Sequence, residues 1–347
     1  MKLKRPDLIL FSILFIAPAV IMSGWIAWRE RRLPLPGRVT RHLAPVVRPA
    51  HAEGQGAFDA AIFADLIALP QQSKEQYAGM REALASGGAV PPVTIALVRS
   101  EKPRIDRILA ASRAPYVDAP GYWRLGALYR DPPAVRGDIL AQFAAVRVAT
   151  AATADEAVDD CLDTAGVARD ISYGAGILGT TLRKAMLKSI EAPCTRVLRS
   201  APPVLRARAL AALQRIEAAA LSWPQVMADE GLPQELFDAA AGLSERLRAR
   251  LPADAKGWGP RADSELWMKA MLLDFWPDLH EAYGQLIKSA ANPDAAARKE
   301  AARSIPQRWA AHPFNPLGAT PMPDYGKFDD YNVEAGAALR RLIEAAR

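Results

Sequence analysis

Residues 133–148 read PAVRGDILAQFAAVRV, and this stretch decides the fold class. Pro133 suits the first turn of a helix, where no backbone N–H donor is needed. Apolar side chains then recur every three or four residues, the spacing of one face of an α-helix: Val135, Ile139, Phe143 and Val146. The stretch therefore predicts a helix that faces the core.

The same pattern recurs along the rest of the chain. Thr153 precedes an acidic first turn, Pro202 and Pro203 open a leucine-rich stretch, and residues 332–346 form a last amphipathic segment. Strand signals are sparse, since residues 93–98, VTIALV, are the one candidate and equally suit the start of a helix. The sequence predicts an all-α domain of serial helices, either a helical bundle or an α-solenoid-like array.

The N-terminus carries a candidate membrane segment. Leu8 to Trp28 is a run of 21 residues without a charge, and at about 1.5 Å rise per residue it spans roughly 31 Å, the thickness of the hydrocarbon core. A cleaved signal peptide has a shorter apolar region of about 7–15 residues. Residues 1–28 are therefore predicted to be a retained, single-pass transmembrane anchor.

The remaining chain divides into a linker and one large domain. Residues 29–56 contain four prolines and two closing glycines, which is typical of a semi-extended spacer. Residues 57–347 form the predicted helical domain, with a possible subdivision near residues 252–262.

The positive charge of the chain is concentrated at the membrane segment. Residues 1–48 hold nine basic and two acidic residues, a net +7, so the remaining 35 basic and 36 acidic residues carry a net −1. A nucleic-acid-binding domain needs a basic face on its folded part. The distribution of charge therefore argues against nucleic-acid binding. It predicts contact with the lipid bilayer through residues 8–28.

Basic residues alone leave the membrane orientation open. Three precede the segment and five follow it closely, which favours a cytoplasmic domain by the positive-inside rule. Large domains, however, cross with little regard for their charge. We favour an extracytoplasmic domain anchored in the inner membrane.

Two cysteines, Cys161 and Cys194, have neither zinc spacing nor the number needed for a disulfide framework. The preferred interpretation is two buried thiols that pack as small apolar groups. A single bridge in a domain outside the cytoplasm is the alternative.

Residues 174–179, GAGILG, match the G-x-G-x-x-G pattern of dinucleotide-binding proteins. That motif needs a preceding hydrophobic strand and an acid about twenty residues further on. Residues 168–172 are not strand-like, and the next acid, Glu191, comes too early. The glycines are predicted to permit close packing.

An acidic face is predicted near the helix start at Thr153, because carboxylates recur at helical spacing. A hard cation such as Ca²⁺ prefers such ligands, but no EF-hand loop accompanies them. The preferred interpretation is a solvated face, and no metal or cofactor is predicted. The residues are Asp155, Glu156, Asp159, Asp160 and Asp163.

Two candidate sites lie late in the chain. Asp278, His280 and Glu281 are the best acid/base group, although a histidine on the apolar side of a helix is more often structural. A concentration of tryptophans is the candidate ligand platform, with a helix core as the commoner explanation: Trp258, Trp267, Trp276 and Trp309.

The order of these features resembles a group of uncharacterised membrane-anchored proteins of planctomycetes and myxobacteria. The shared features are the membrane segment, the Ala/Leu/Arg-rich stretch 135–221, and Asn315-Pro316-Leu317-Gly318 before a final Arg-rich helix. The resemblance implies helical hairpins on an anchor and supplies no site residue. The sequence thus predicts an envelope interaction or scaffold protein with a protein partner. The alternatives are an envelope enzyme that uses the acid/base group and a small-molecule or glycan-binding domain that uses the tryptophans.

Overall fold

The structure, a computed structural model, describes residues 24, 60–70, 74–113, 136–173, 175–230, 285–310 and 324–347. These residues are mostly helical, contain no strand, and confirm the predicted all-α class. The helices are α1 (Ala60–Ile67), α2 (Lys74–Ser86), α3 (Pro92–Ser100), α4 (Lys102–Ala111), α5 (Gly137–Thr150), α6 (Ala154–Asp170), α7 (Gly176–Ser200), α8 (Pro203–Ala218), α9 (Trp223–Glu230), α10 (Ala295–Ala310) and α11 (Tyr325–Ala346).

Most of these helices lie where local signals in the sequence predict them. The strand candidate at residues 93–98 lies within α3, a helix opened by two prolines. Helix α2 ends before Gly87, whose φ of 75° lies in the left-handed region that a side chain disfavours. Helix α11 begins earlier than predicted, because the Asp324 side chain accepts a hydrogen bond from the Lys327 N–H and caps it there.

Helix α7 lies at the centre of the described fold. It packs against α5, α6 and α11 and also contacts α2, α8 and α9. Its inward positions are large and apolar, including Met186, Leu187 and Ile190, which are almost fully buried. Helix α5 is buried around most of its circumference, as expected for a helix with apolar residues on nearly every face.

Cys161 of α6 and Cys194 of α7 form a disulfide, with Cα atoms 5.8 Å apart. The preferred prediction of two free thiols is therefore wrong. Their predicted burial is confirmed, since the two residues are 1% and 0% exposed. The disulfide links two central helices within the core.

Several sequence predictions fall outside the described residues. These include the linker 29–56, the possible subdivision near 252–262, and the anchor 1–28 apart from the helical Gly24. Among the described helices, none has both the length and the apolar character that crossing a bilayer requires.

Candidate functional site

The acidic face of α6 begins at a capped N-terminus. The Thr153 hydroxyl accepts a hydrogen bond from the Glu156 N–H at 3.2 Å, and Asp155 and Glu156 occupy the first turn. This matches the preference of helix N-termini for a hydroxyl cap and for negative charge. The predicted start of the helix is confirmed.

Asp163 binds an arginine from the end of α4. Arg113 Nη2 lies 2.6 Å from Asp163 Oδ2, and its Nε lies 2.9 Å from Oδ1. A guanidinium that binds both carboxylate oxygens fixes direction as well as distance. Burial nevertheless raises the pKa of the Asp163 carboxyl, with Arg113 acting against that shift.

Asp160 belongs to a longer chain of charges across α4, α5 and α6. Arg147 donates through Nε to Asp160 Oδ2 at 3.0 Å and through Nη1 to Asp106 Oδ1 at 2.7 Å. Lys102 lies 2.6 Å from the other oxygen of Asp106. We call Lys102, Asp106, Arg147 and Asp160 the charge chain.

The charge chain contains one carboxyl that resists ionisation. Burial raises the pKa of Asp160 to about 6, although Arg147 opposes the shift. Burial also raises the pKa of Asp106, but its hydrogen bonds with Lys102 and Arg147 outweigh this, so that pKa lies below its ordinary value. The difference follows from position, since Asp160 is buried between helices and Asp106 is half-exposed.

The solvated acidic face predicted for α6 is therefore wrong for Asp160 and Asp163, which are 7% and 8% exposed. Only the first turns of the face are open to solvent, where Arg208 of α8 lies 2.9 Å from Asp155 and 2.8 Å from Asp159. The carboxylates join α6 to its neighbours through arginines. Among the described residues, no group of acids, histidines or cysteines is arranged to hold a metal ion.

A cavity of about 220 Å³ adjoins the charge chain. It lies between α3, the end of α5 and the start of α6, with Ile95, Val98 and Val146 in its wall. Arg147 and Asp160 also border it. Aliphatic and charged residues both border the cavity, and together with the charge chain it is the candidate functional site.

The late candidates cannot be assembled into a site. Asp278, His280, Glu281, Trp258, Trp267 and Trp276 lie outside the described residues. Trp309 belongs to the last turn of α10, and its side chain is likewise outside the described part.

Residues 175–179 of the glycine motif lead into α7 and follow a helix and a turn instead of a strand, which argues against the dinucleotide interpretation, and Gly174 lies outside the described residues. A Cβ built on Gly179 would lie 2.8 Å from the Cα of Ser172 in that turn. The turn and the first turn of α7 can pack this closely only without a side chain there.

We expect Gly179→Ala to lower the free energy of unfolding by about 1–3 kcal/mol, the usual cost of forcing extra volume into a packed site. The clash involves backbone, so a side-chain rotation cannot relieve it. Denaturant melts measure the effect. The matched control is Gly336→Ala in α11, whose Cβ would meet only the flexible Arg340 guanidinium at 3.6 Å. It should be neutral or stabilising by up to about 1 kcal/mol, and equal effects of the two variants would contradict the packing role.

Sequence reasoning identified the carboxylates of the site but not their partners. The partners are Arg113, Arg147 and Arg208, which lie outside α6 and 13 to 50 residues away in sequence from the acids that they bind. No local motif marks them. The comparisons add no further assignment: no family model, curated protein or solved structure matches this chain.

Proposed function

We propose that the chain is a membrane-anchored helical interaction module, held by residues 8–28 on the extracytoplasmic side of the inner membrane. The observation that supports this proposal most directly is the buried disulfide between Cys161 and Cys194. Structural disulfides persist in oxidising compartments and are rare in the cytosol. The bridge therefore supports this orientation over the cytoplasmic one that the basic residues alone favour.

A closed helical bundle suits the packing better than a solenoid. In a solenoid each repeat contacts its sequence neighbours. Helix α7 instead contacts α2 from the beginning of the domain and α11 from its end. Such a domain offers a rigid outer surface, consistent with the anchored helical arrangement that the resemblance to planctomycete and myxobacterial proteins implies.

The chemistry of the buried acids favours interaction over catalysis. Each of the four buried aspartates in the described part forms an ion pair with an arginine. An acid/base pair would instead leave a carboxyl free to reach a substrate beside a second catalytic group. The four acids are Asp160, Asp163, Asp170 and Asp329.

Membrane orientation is tested on the full chain expressed in a bacterial host. We expect protease added to intact spheroplasts to degrade the domain, and a thiol reagent to label Cys161 and Cys194 only after denaturation and reduction. The Cys161→Ala, Cys194→Ala double variant is the labelling control. A domain protected from protease in spheroplasts, with two thiols that react without reduction, would place it in the cytoplasm and refute the proposal.

The interaction role is tested by photo-crosslinking on the surface. Among the residues that the structure describes, three large apolar side chains are well exposed, Val93, Val204 and Val333, at 61%, 79% and 52%. We expect a photoreactive residue at one or more of them to give a discrete adduct with another envelope protein in intact cells. Exposed Arg81 on α2 provides a comparison position. The absence of adducts at all positions, together with monomeric migration in detergent, would contradict a scaffold role.

A further inference from the structure

The disulfide between Cys161 and Cys194 is enclosed by neighbouring helices. Both cysteines are at most 1% exposed, and both belong to the larger of the two core clusters in the described residues. Helices α5 and α8 pack against α6, while α5 and α11 pack against α7. Three further helices therefore flank the two that the disulfide joins.

Ion pairs place two of these helices directly beside Cys161. Arg147 of α5 binds Asp160, the residue before the cysteine, with Nη2 lying 2.8 Å from Oδ1. Arg208 of α8 binds Asp159, one residue earlier, with Nη2 lying 2.8 Å from Oδ1. The turn of α6 that carries Cys161 is thus covered by α5 and α8.

The last helix of the chain lies beside Cys194. Arg341 of α11 binds Glu191, three residues before the cysteine, with Nη2 lying 2.9 Å from Oε2. Leu339 and Leu342 of α11 are 1% and 0% exposed and belong to the same core cluster as the disulfide. The turn of α7 that carries Cys194 is thus covered by α11.

This enclosure restricts when the disulfide can form. Thiol–disulfide exchange requires an attacking thiolate to reach a disulfide sulfur, and neither cysteine is open to solvent in the folded domain. Helices α8 and α11 both follow Cys194 in the chain. Both thiols therefore leave the ribosome before two of the helices that cover them, and at that stage an oxidant can reach them.

We propose that a thiol–disulfide oxidoreductase of the envelope introduces this disulfide before α8 and α11 pack over it, and that the folded domain then excludes reductants. One cysteine thiolate attacks the disulfide of the oxidoreductase, which forms a mixed disulfide and releases a thiolate of that protein. The second cysteine thiolate attacks the mixed disulfide at the sulfur of this chain. The oxidoreductase leaves as a dithiol, reduced by the two electrons that the cysteines lose. The inference rests on the proposed extracytoplasmic location, where such oxidants act.

Exclusion of reductants is tested on the full chain in detergent micelles, with dithiothreitol as the reductant. A gel shift with a maleimide-polyethylene glycol reagent counts the thiols. Reduction of the folded chain should be at least about a hundredfold slower than reduction of the same chain unfolded in guanidinium chloride, because only a small fraction of a folded domain is open at any time. Similar rates in the two states would show that the disulfide is accessible and would overturn the proposal.

A matched pair of variants on α11 tests whether that helix covers the disulfide. Leu342→Ala removes a fully buried side chain, which weakens the packing of α11 and should speed reduction at least about tenfold. Arg340→Ala, at an exposed position, should change the rate by no more than about twofold. A folded Leu342→Ala variant that is reduced at the rate of the parent would contradict the role of α11. If that variant does not fold, the comparison of the folded and unfolded parent still decides.

The oxidant is tested in bacterial cells by pulse-labelling the full chain and alkylating its free thiols after acid quenching. Oxidation should be at least about tenfold slower in a strain without its periplasmic thiol oxidase than in the parent strain. The Cys161→Ala, Cys194→Ala double variant marks the gel position of a chain without free thiols. Equal rates of oxidation in the two strains would refute the need for an oxidoreductase. A chain that stays reduced in both strains would refute the extracytoplasmic location as well, so the two failures are distinguishable.

Discussion

Reduction of the Cys161–Cys194 bridge should lower the free energy of unfolding of the domain by about 3–4 kcal/mol. The two cysteines are 33 residues apart in sequence, and closing a loop of about that length removes conformational entropy from the unfolded chain by this amount. Denaturant melts of the full chain with and without reductant measure the change. The loss is a large part of the roughly 5–15 kcal/mol that holds a typical domain folded.

The double variant Cys161→Ala, Cys194→Ala separates the cross-link from packing. It should resemble the reduced parent, be slightly less stable because sulfur atoms leave a closed core, and no longer respond to reductant. A parent whose melt is the same with and without reductant would show that the bridge does not stabilise the domain.

The helices were predictable because their signals are local. A cap, an apolar spacing or a proline acts within one or two turns, which is why α3 and α8 begin at their prolines and α6 begins at its threonine cap. The start of α11 was predicted too late, although it too is set by a local signal. Asp324 is a cap of ordinary type, but the prediction followed the apolar pattern, which becomes regular only further along the helix.

The bridge and the charge chain were not predictable by the same reasoning. Cys161 and Cys194 lie on different helices, and whether two cysteines meet depends on how those helices pack. The acidic face posed a similar problem, since helical spacing showed that Asp155, Asp159 and Asp163 share a face but not what covers it. Helices α4, α5 and α8 cover that face and supply the arginines.

The cavity follows from the same packing. Its lining residues come from α3, α4, α5 and α6, so no single segment contains the site. The sequence alone therefore drew attention to compact motifs, such as the glycines at 174–179 and the acids of α6, but not to the arginines that border the cavity with those acids.

Replacement of Arg147 by methionine should lower the free energy of unfolding at pH 7 by about 3–5 kcal/mol, the cost of leaving one member of a buried ion pair without its partner. Arg147 and Asp160 have side chains only 19% and 10% exposed, so the guanidinium and the carboxylate neutralise each other largely out of contact with solvent. The matched control is Lys102→Met, at the exposed end of the charge chain, where the side chains are 62% and 42% exposed. It should cost no more than about 1 kcal/mol.

The pH dependence distinguishes a buried charge from lost packing. In the parent the pKa of Asp160 is about 6, above its unfolded value of 3.8, so its favourable contribution is complete below pH 3.8 and is lost as the pH rises through 6. Without Arg147 the folded pKa rises further, because the group opposing the burial effect is gone. The deficit of Arg147→Met relative to the parent should therefore grow from pH 5 to pH 8 in denaturant melts. A deficit that is constant across this range, or no larger than that of Lys102→Met, would show that Arg147 acts by packing alone and that Asp160 is not held as an ion in the folded domain.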